Sequence, residues 1–320
     1  MSIPVSKLLQ DEEFDLRLQL LAGRAGLQRD IYDTQIQRPG LSLTGAVAFL
    51  EPGRIQLLGD NEMTYLSTQS ANRTRELFQL LLQAQPACVI VAASFPVPPK
   101  LLDEAEQRSV ALLISSHLTT TLGERLTEFL LEHLGESCSL HGVLVDVMGV
   151  GVLMLGKSGI GKSECALDLV LRGNRLVADD VVELKLRPPA TIYGSCTALL
   201  RHHMEIRGLG IINIKDLYGV SAVRERKKVE LVIELVDVDE LEDYDRLGVE
   251  DRTYDILGVE IPYLVIPVRP GRNTTTVVEV AARNLLLKRQ GHHSAREFEE
   301  KVNHEISDVN RQKLLREEVE

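Results

Sequence analysis

No run of this sequence is apolar for the roughly 18 residues that a membrane-spanning helix needs. The opening residues, Met1 to Lys7, lack a charged stretch followed by a long apolar one. No secretory leader is therefore expected, and the protein is expected to be cytoplasmic with no membrane partner. Paired cysteines are missing as well. Cys88, Cys138, Cys165 and Cys196 stand apart with no C-x-x-C spacing, which argues against zinc and suits a reducing compartment. Positive charge is also short: 36 Lys and Arg against 47 Asp and Glu leave a formal net charge of -11. That argues against a nucleic-acid binder, because a phosphate backbone rewards Lys and Arg. A local site of backbone amides and a few cations for nucleotide phosphates stays possible. No internal repeat or low-complexity tract is visible.

What is present is an ordinary globular composition, 44% apolar and 26% charged over 320 residues. Domains usually run to about 100–200 residues, so two are expected. The pattern places an N-terminal α/β domain at 1–135 and a catalytic domain at 136–320. In the first, Cys88 to Ala92 and Ala111 to Ser115 read as buried strands, while Leu101 to Arg108 and Thr121 to Leu134 read as helices. This alternation suggests parallel pairing. No chemical constellation appears there, which favours a scaffold or regulatory role. In the second, Val143 to Val147 and Val150 to Leu155 are β-rich runs split by a glycine turn. Further strands are expected at Val181–Leu186, Val229–Val236 and Tyr263–Val268. A helix from Thr276 to Gln290 should stop at Gly291, and Ser294 to Glu297 reads as a capping box opening a charged helix to about Leu315.

Gly156-Lys157-Ser158-Gly159-Ile160-Gly161-Lys162-Ser163 fits G-x-x-x-x-G-K-[ST] at every position. Its glycines permit left-handed backbone, so that N–H groups can face phosphate oxygens. The following helix, Lys162 to Arg172, offers its positive end to the same anion. Lys162 is expected to reach the β- and γ-phosphates of ATP, and the Ser163 hydroxyl to bind Mg²⁺. The run Leu176-Val177-Ala178 ends in Asp179-Asp180. A strand ending in carboxylate beside the phosphate-loop strand is a Walker-B arrangement. Neighbouring residues in a strand face opposite ways, so Asp179 is assigned to the metal and Asp180 to proton transfer.

A third segment, Glu205-Ile206-Arg207-Gly208-Leu209-Gly210-Ile211-Ile212-Asn213, sets a carboxylate and a guanidinium before two glycines and an apolar run. Together with Gly156–Glu164 and Asp179-Asp180, it resembles the signature of the bacterial HPr kinase/phosphorylase family. The likeness spans essentially the whole chain, including His141-Gly142 ahead of the phosphate-loop strand. It implies an α/β fold whose catalytic part resembles the nucleotide-binding fold of phosphoenolpyruvate carboxykinase. It implies ATP- and Mg²⁺-dependent phosphorylation of a serine of the phosphocarrier HPr, and phosphorolysis of that phosphoserine by inorganic phosphate with release of pyrophosphate. A homohexamer working in the phosphotransferase system and carbon catabolite regulation is also implied. By the same resemblance His141, Lys162, Asp180 and Arg246 fall at catalytic positions, and Ser163 and Glu205 at metal positions. Glu205 to Ile214 falls on a stretch tied to both reactions. Pro267, Val268, Arg269, Pro270, Gly271 and Arg272 form a loop tied to dephosphorylation. The leader His202-His203-Met204 departs from the family pattern.

Two rival readings share the loop. A GTPase needs N-K-x-D, and Asn213-Ile214-Lys215-Asp216 has the wrong order. A non-enzymatic ATP sensor would not need the carboxylate pair. The paired histidines His202-His203 and His292-His293 read as incidental.

Overall fold

Unbroken apolar runs in this chain become strands covered on both faces, and amphipathic runs become the helices that cover them. The computed structural model describes residues 2–44, 50–93, 95–240, 251–269, 271, 273–302 and 304–305. It divides into two units, Met1–Gly135 and Glu136–Glu320. Among the described residues no helix is long and apolar enough to cross a membrane.

The first unit holds strands β1 (Leu18–Ala22), β2 (Ile36–Gln37), β3 (Ile55–Leu58), β4 (Cys88–Val91) and β5 (Ala111–Ser115). Its principal helices are α1 (Asp60–Thr68), α2 (Ala71–Gln83), α3 (Pro99–Gln107) and α4 (Thr119–Leu134). The sheet order is β1-β5-β4-β3-β2. Strands β2 to β5 pair in parallel as expected, while β1 adds an antiparallel edge. All of β3 and β4 is buried, which is why they read as continuous apolar runs rather than alternating ones. Leu122, Leu126, Phe129 and Leu130 of α4 pack on one face of the sheet. Leu77, Phe78 and Leu81 of α2 and Leu101 of α3 pack on the other.

The second unit is built on β6 (Ser137–His141), β7 (Val143–Val147), β8 (Val150–Gly156), α5 (Lys162–Leu171), β9 (Arg175–Ala178), β10 (Val181–Arg187) and β11 (Thr191–Ser195). It continues with β12 (His203–Ile206), β13 (Gly210–Asn213), α6 (Ile214–Tyr218), β14 (Arg226–Lys228), β15 (Leu231–Asp237), β16 (Arg252–Ile256), β17 (Val259–Val268) and α7 (Thr274–Arg289). The main sheet has the order β9-β7-β8-β15-β17-β16, and a second sheet the order β14-β11-β10-β6. Strands β7 and β8 form a hairpin across Met148 and Gly149, both at positive φ (50° and 87°), as a tight primed turn requires.

This hairpin corrects one expectation. Strand β9, which leads into Asp179, does not lie beside the phosphate-loop strand; it pairs antiparallel with β7, which pairs antiparallel with β8. The parallel neighbour of β8 is β15. Two antiparallel steps restore direction, so β9 still opens at the same sheet edge as the phosphate loop. Toward the C-terminus, α7 begins two residues earlier than the pattern suggested, because the Asn273 side chain accepts from Thr276 N–H at 3.0 Å and caps it. Residues 294–302 are helical. Glu297 N–H donates to the His293 carbonyl at 2.9 Å, which makes His293 rather than Ser294 the cap. The expected continuation to Leu315 lies outside the described residues beyond 305.

Candidate active site

Strand β8 delivers the chain into the phosphate loop at the carboxyl edge of the sheet. Gly156, Gly159 and Gly161 all take positive φ, 135°, 84° and 102°. At Gly156 a side chain would collide with the Leu235 carbonyl on β15. Gly161 is the N-cap of α5 and carries no side-chain cap, so the first amides of that helix remain open toward the loop. Such an end suits an anion. Lys162 is folded over its own loop, donating from Nζ to the Gly156 carbonyl at 2.8 Å and the Lys157 carbonyl at 3.1 Å.

The two aspartates part company as expected, but for a different reason. They sit past the strand end, in a turn where Asp180 adopts φ 67° and Val181 N–H donates to the Asp179 carbonyl. Asp179 is 3% exposed. Its Oδ1 accepts from Ser163 Oγ at 2.8 Å and its Oδ2 from Glu205 N–H at 3.1 Å. Burial pushes the Asp179 carboxyl up, the Ser163 and Glu205 donors pull it back, and the neighbouring Asp180 charge adds to the rise. Asp180 points to solvent, with His141 Nδ1 at 3.2 Å from its Oδ1. His141 is held there because β6 pairs with β10 in a register that sets His141 opposite Val181, and Gly142 N–H donates to the Asp180 carbonyl.

The Glu205 segment is a hairpin. Strands β12 and β13 pair with Glu205 opposite Ile211, and Gly208 and Gly210 turn the chain at φ 81° and 93°. Met204 and Ile214 anchor it in the core beneath α5. The Arg207 guanidinium lies against Gly159, where any Cβ would strike it. One pocket thus gathers Lys162, Ser163, Asp179, Asp180, Glu205 and Arg207 around the glycine loop. Val143 and Glu164 also line it; the pattern reading had not singled them out. Glu164 was recoverable, since it follows Ser163 on the same helical turn. Val143 was not, because only the β7–β8 register brings it there.

Other expected residues fare differently. The register Gly156–Leu235–Ile266 sets the end of β17 near the level of the phosphate loop. Pro267 and Val268, expected in a loop, are instead paired with Val236 and Asp237 in the strand, and exposed Arg269 is the first residue to leave the sheet at that edge. Pro270, Arg272 and Arg246 lie outside the described residues. Asn213 is the cap of α6, accepting from Lys215 and Asp216 N–H at 3.0 and 3.2 Å, which accounts for the near miss to a guanine motif. Among the described residues no cluster of three or more His, Cys, Asp or Glu is set to hold a metal alone. The Ser163 hydroxyl and the Glu205 carboxylate, with Asp179 behind them, nevertheless suit Mg²⁺, which is commonly held by one or two carboxylates together with substrate phosphates.

Family models for the HPr Serine kinase N terminus and the HPr Serine kinase C-terminal domain match residues 3–130 and 132–302. An HPr kinase/phosphorylase of Geobacter sulfurreducens is 53% identical over 301 residues, covering 94% of each chain. One from Geobacillus thermodenitrificans is 44% identical, covering 92% of this chain and 96% of its own. A solved structure, the Hpr(Ser) kinase/phosphatase from Coxiella burnetii, is 36% identical over 50% of this chain and 98% of its own, with a TM-score of 0.46.

Proposed function

The chain belongs to the HPr serine kinase family and is a bifunctional kinase/phosphorylase of the phosphocarrier HPr; from that premise we propose that both reactions run in the phosphate-loop pocket. The observation that carries this reading is the convergence of Lys162, Ser163, Asp179, Asp180 and Glu205 on the open end of α5. The loop amides and Lys162 hold the β- and γ-phosphates of ATP in one direction and inorganic phosphate in the other. Ser163 and Glu205 would hold Mg²⁺ directly, with Asp179 behind them accepting from both; the ion when bound would neutralise phosphate charge.

In the forward direction the HPr serine oxygen bonds to the γ-phosphorus, the bond to the β-phosphate oxygen breaks, and ADP leaves. Asp180 takes the serine proton. In reverse an oxygen of inorganic phosphate bonds to the phosphoserine phosphorus, the serine O–P bond breaks, and pyrophosphate forms. The leaving serine oxygen takes a proton from protonated Asp180, the counterpart of its role in the forward reaction, and the proton carried in on inorganic phosphate restores the balance. The position of His141 against Asp180 suits it to orient that carboxyl. Arg207 and the Glu205–Ile214 hairpin face the same phosphates, and Arg269 adds a cation at the same edge for the reverse reaction. Arg246 is assigned a catalytic role by family likeness alone.

The catalytic unit is read as a variant of the phosphoenolpyruvate carboxykinase nucleotide-binding fold, consistent with a phosphate-loop strand between one antiparallel and one parallel neighbour. A cytoplasmic homohexamer is the expected assembly; exposed Leu209 and Ile211 supply apolar surface that a subunit or HPr contact would cover. The test mixes phosphorylated HPr, inorganic phosphate and the protein, and measures pyrophosphate. Its release in step with dephosphorylated HPr supports the reading, and loss of phosphate without pyrophosphate overturns it.

A further inference from the structure

We infer that Asp179 is the positioning residue that fastens the Glu205–Ile214 hairpin to the phosphate loop, so that Ser163 and Glu205 reach one cation together; this rests on the reading of the pocket given above. Each oxygen of the buried carboxylate has its own donor. Oδ1 takes the Ser163 hydroxyl and Oδ2 takes the Glu205 amide. An ionised carboxylate only accepts. Ser163 must therefore turn its hydrogen toward Asp179, which leaves its lone pairs toward the pocket. Glu205 must turn its N–H the same way, while its own carboxylate stays exposed and lines the pocket.

The hairpin needs such a tie. It forms a separate two-stranded sheet, and a lone hairpin is marginal in water. Met204 and Ile214 set its depth in the core. The ties that aim it are the Asp179–Glu205 hydrogen bond at one end and the packing of the Arg207 guanidinium on Gly159 at the other. Ser163, Asp179, Glu205, Arg207 and Gly159 thus close a ring of contacts from the phosphate loop out to the hairpin and back. Whatever moves Ser163 is felt at Glu205 through a single side chain.

The test uses the full chain with ADP, Mn²⁺ as probe cation read by its electron spin resonance, and a double-mutant cycle. Asp179→Asn keeps the shape but can offer one acceptor and one donor. With the acceptor on Glu205 N–H, the donor meets Ser163 Oγ and reverses its hydroxyl. Mn²⁺ affinity should fall about 10–100-fold, as for other partners behind a metal ligand. In a Ser163→Ala background the same change should add less than about 2-fold, because its effect runs through Ser163. A further loss of about tenfold or more there would make Asp179 a direct ligand and overturn the inference. Hydrogen exchange at the Glu205 amide gives an independent reading. Protection should persist in Ser163→Ala and in Asp179→Asn and be lost in Asp179→Ala. Unchanged protection in Asp179→Ala, with the rest of β12 and β13 still protected, would show that the hairpin is held without this residue.

Discussion

The turn from Leu58 into α1 and the turn from Leu155 into α5 occupy the same place in their sheets: each leaves the carboxyl end of a buried strand and starts a helix. In the first unit the turn is Gly59 alone. The Glu62 side chain reaches back to the Gly59 N–H at 3.0 Å, and Asp60 and Glu62 place two carboxylates in the first turn of the helix. The space a Cβ would need at Gly59 is filled by Thr119 of α4. In the second unit the turn is longer, left-handed at Gly156, Gly159 and Gly161, and leaves α5 without a side-chain cap. Both helix ends carry the same partial positive charge. One has its first amide taken by the chain's own Glu62; the other, although Glu164 lies in its first turn, has no side-chain cap and is left for an anion brought from outside. Whether a strand-helix turn binds phosphate is decided by who satisfies its donors.

The sharpest way to separate chemistry from binding at the open turn is Asp180→Asn. A general base is worth about 10²–10⁴-fold in rate. Kinase turnover should drop by that much while ATP affinity stays nearly unchanged, measured by single-turnover transfer and by nucleotide titration. If Asp179→Asn costs transfer chemistry far more than Asp180→Asn does, the assigned roles are reversed. Next in size is Lys162→Ala. Loss of one preorganised donor to transferring charge costs about 10²–10³-fold. Both kinase and phosphorylase rates should fall together if, as proposed, ATP and inorganic phosphate use the same loop. Retained phosphorolysis would place the attacking phosphate elsewhere.

What could be read in the sequence follows from locality. Gly156 to Ser163 with its strand and helix is one contiguous stretch, and its left-handed glycines and the strand and helix on either side agree with the reading. The parallel pair Cys88–Val91 and Ala111–Ser115 with the helix between them was legible for the same reason, whereas the strand Ile55–Leu58 and the helices Asp60–Thr68 and Ala71–Gln83 were not read. Sheet adjacency was not legible. Nothing in Leu176 to Asp180 reveals that β7 separates it from β8, because that depends on a hairpin formed thirty or so residues earlier. The bond from Glu205 N–H to Asp179, a backbone donor reaching a side chain 26 positions away, leaves no mark in residue types at all. Short pieces such as Ile36–Gln37 are too brief to carry a period.

A smaller effect, and one of direction rather than size, is expected at Arg269. The chain leaves β17 at the level of the phosphate loop, and Arg269 is exposed there. Phosphorolysis must hold a phosphoserine and a free phosphate without an adenosine anchor, so the repulsion between two anions falls on nearby cations. Arginine suits bidentate contact with phosphate. Arg269→Ala should lower the phosphorylase rate severalfold more than the kinase rate, on the order of one phosphate contact. Equal losses in paired assays would mean general phosphate binding, and no loss in either would return the arginine to solvent.

The smallest effect tests the closed turn. Glu62 is 8% exposed, and its carboxylate serves the Gly59 amide at the start of α1. Removing it in Glu62→Ala leaves that buried N–H without its acceptor and takes a negative charge from the helix end. Loss of a helix cap of this kind costs about 0.5–2 kcal/mol. The denaturant midpoint of the first unit should fall accordingly, while ATP affinity and both reaction rates stay at their original values. Nucleotide affinity should not rise either. Freeing one amide does not create an anion site where Thr119 fills the space over Gly59, Asp60 remains in the first turn, and no run of left-handed glycines aims further amides at one point. If Glu62→Ala instead makes the first unit bind phosphate measurably, then a single carboxylate was all that separated the two turns, and the glycine spacing of the open one matters less than its lack of a cap.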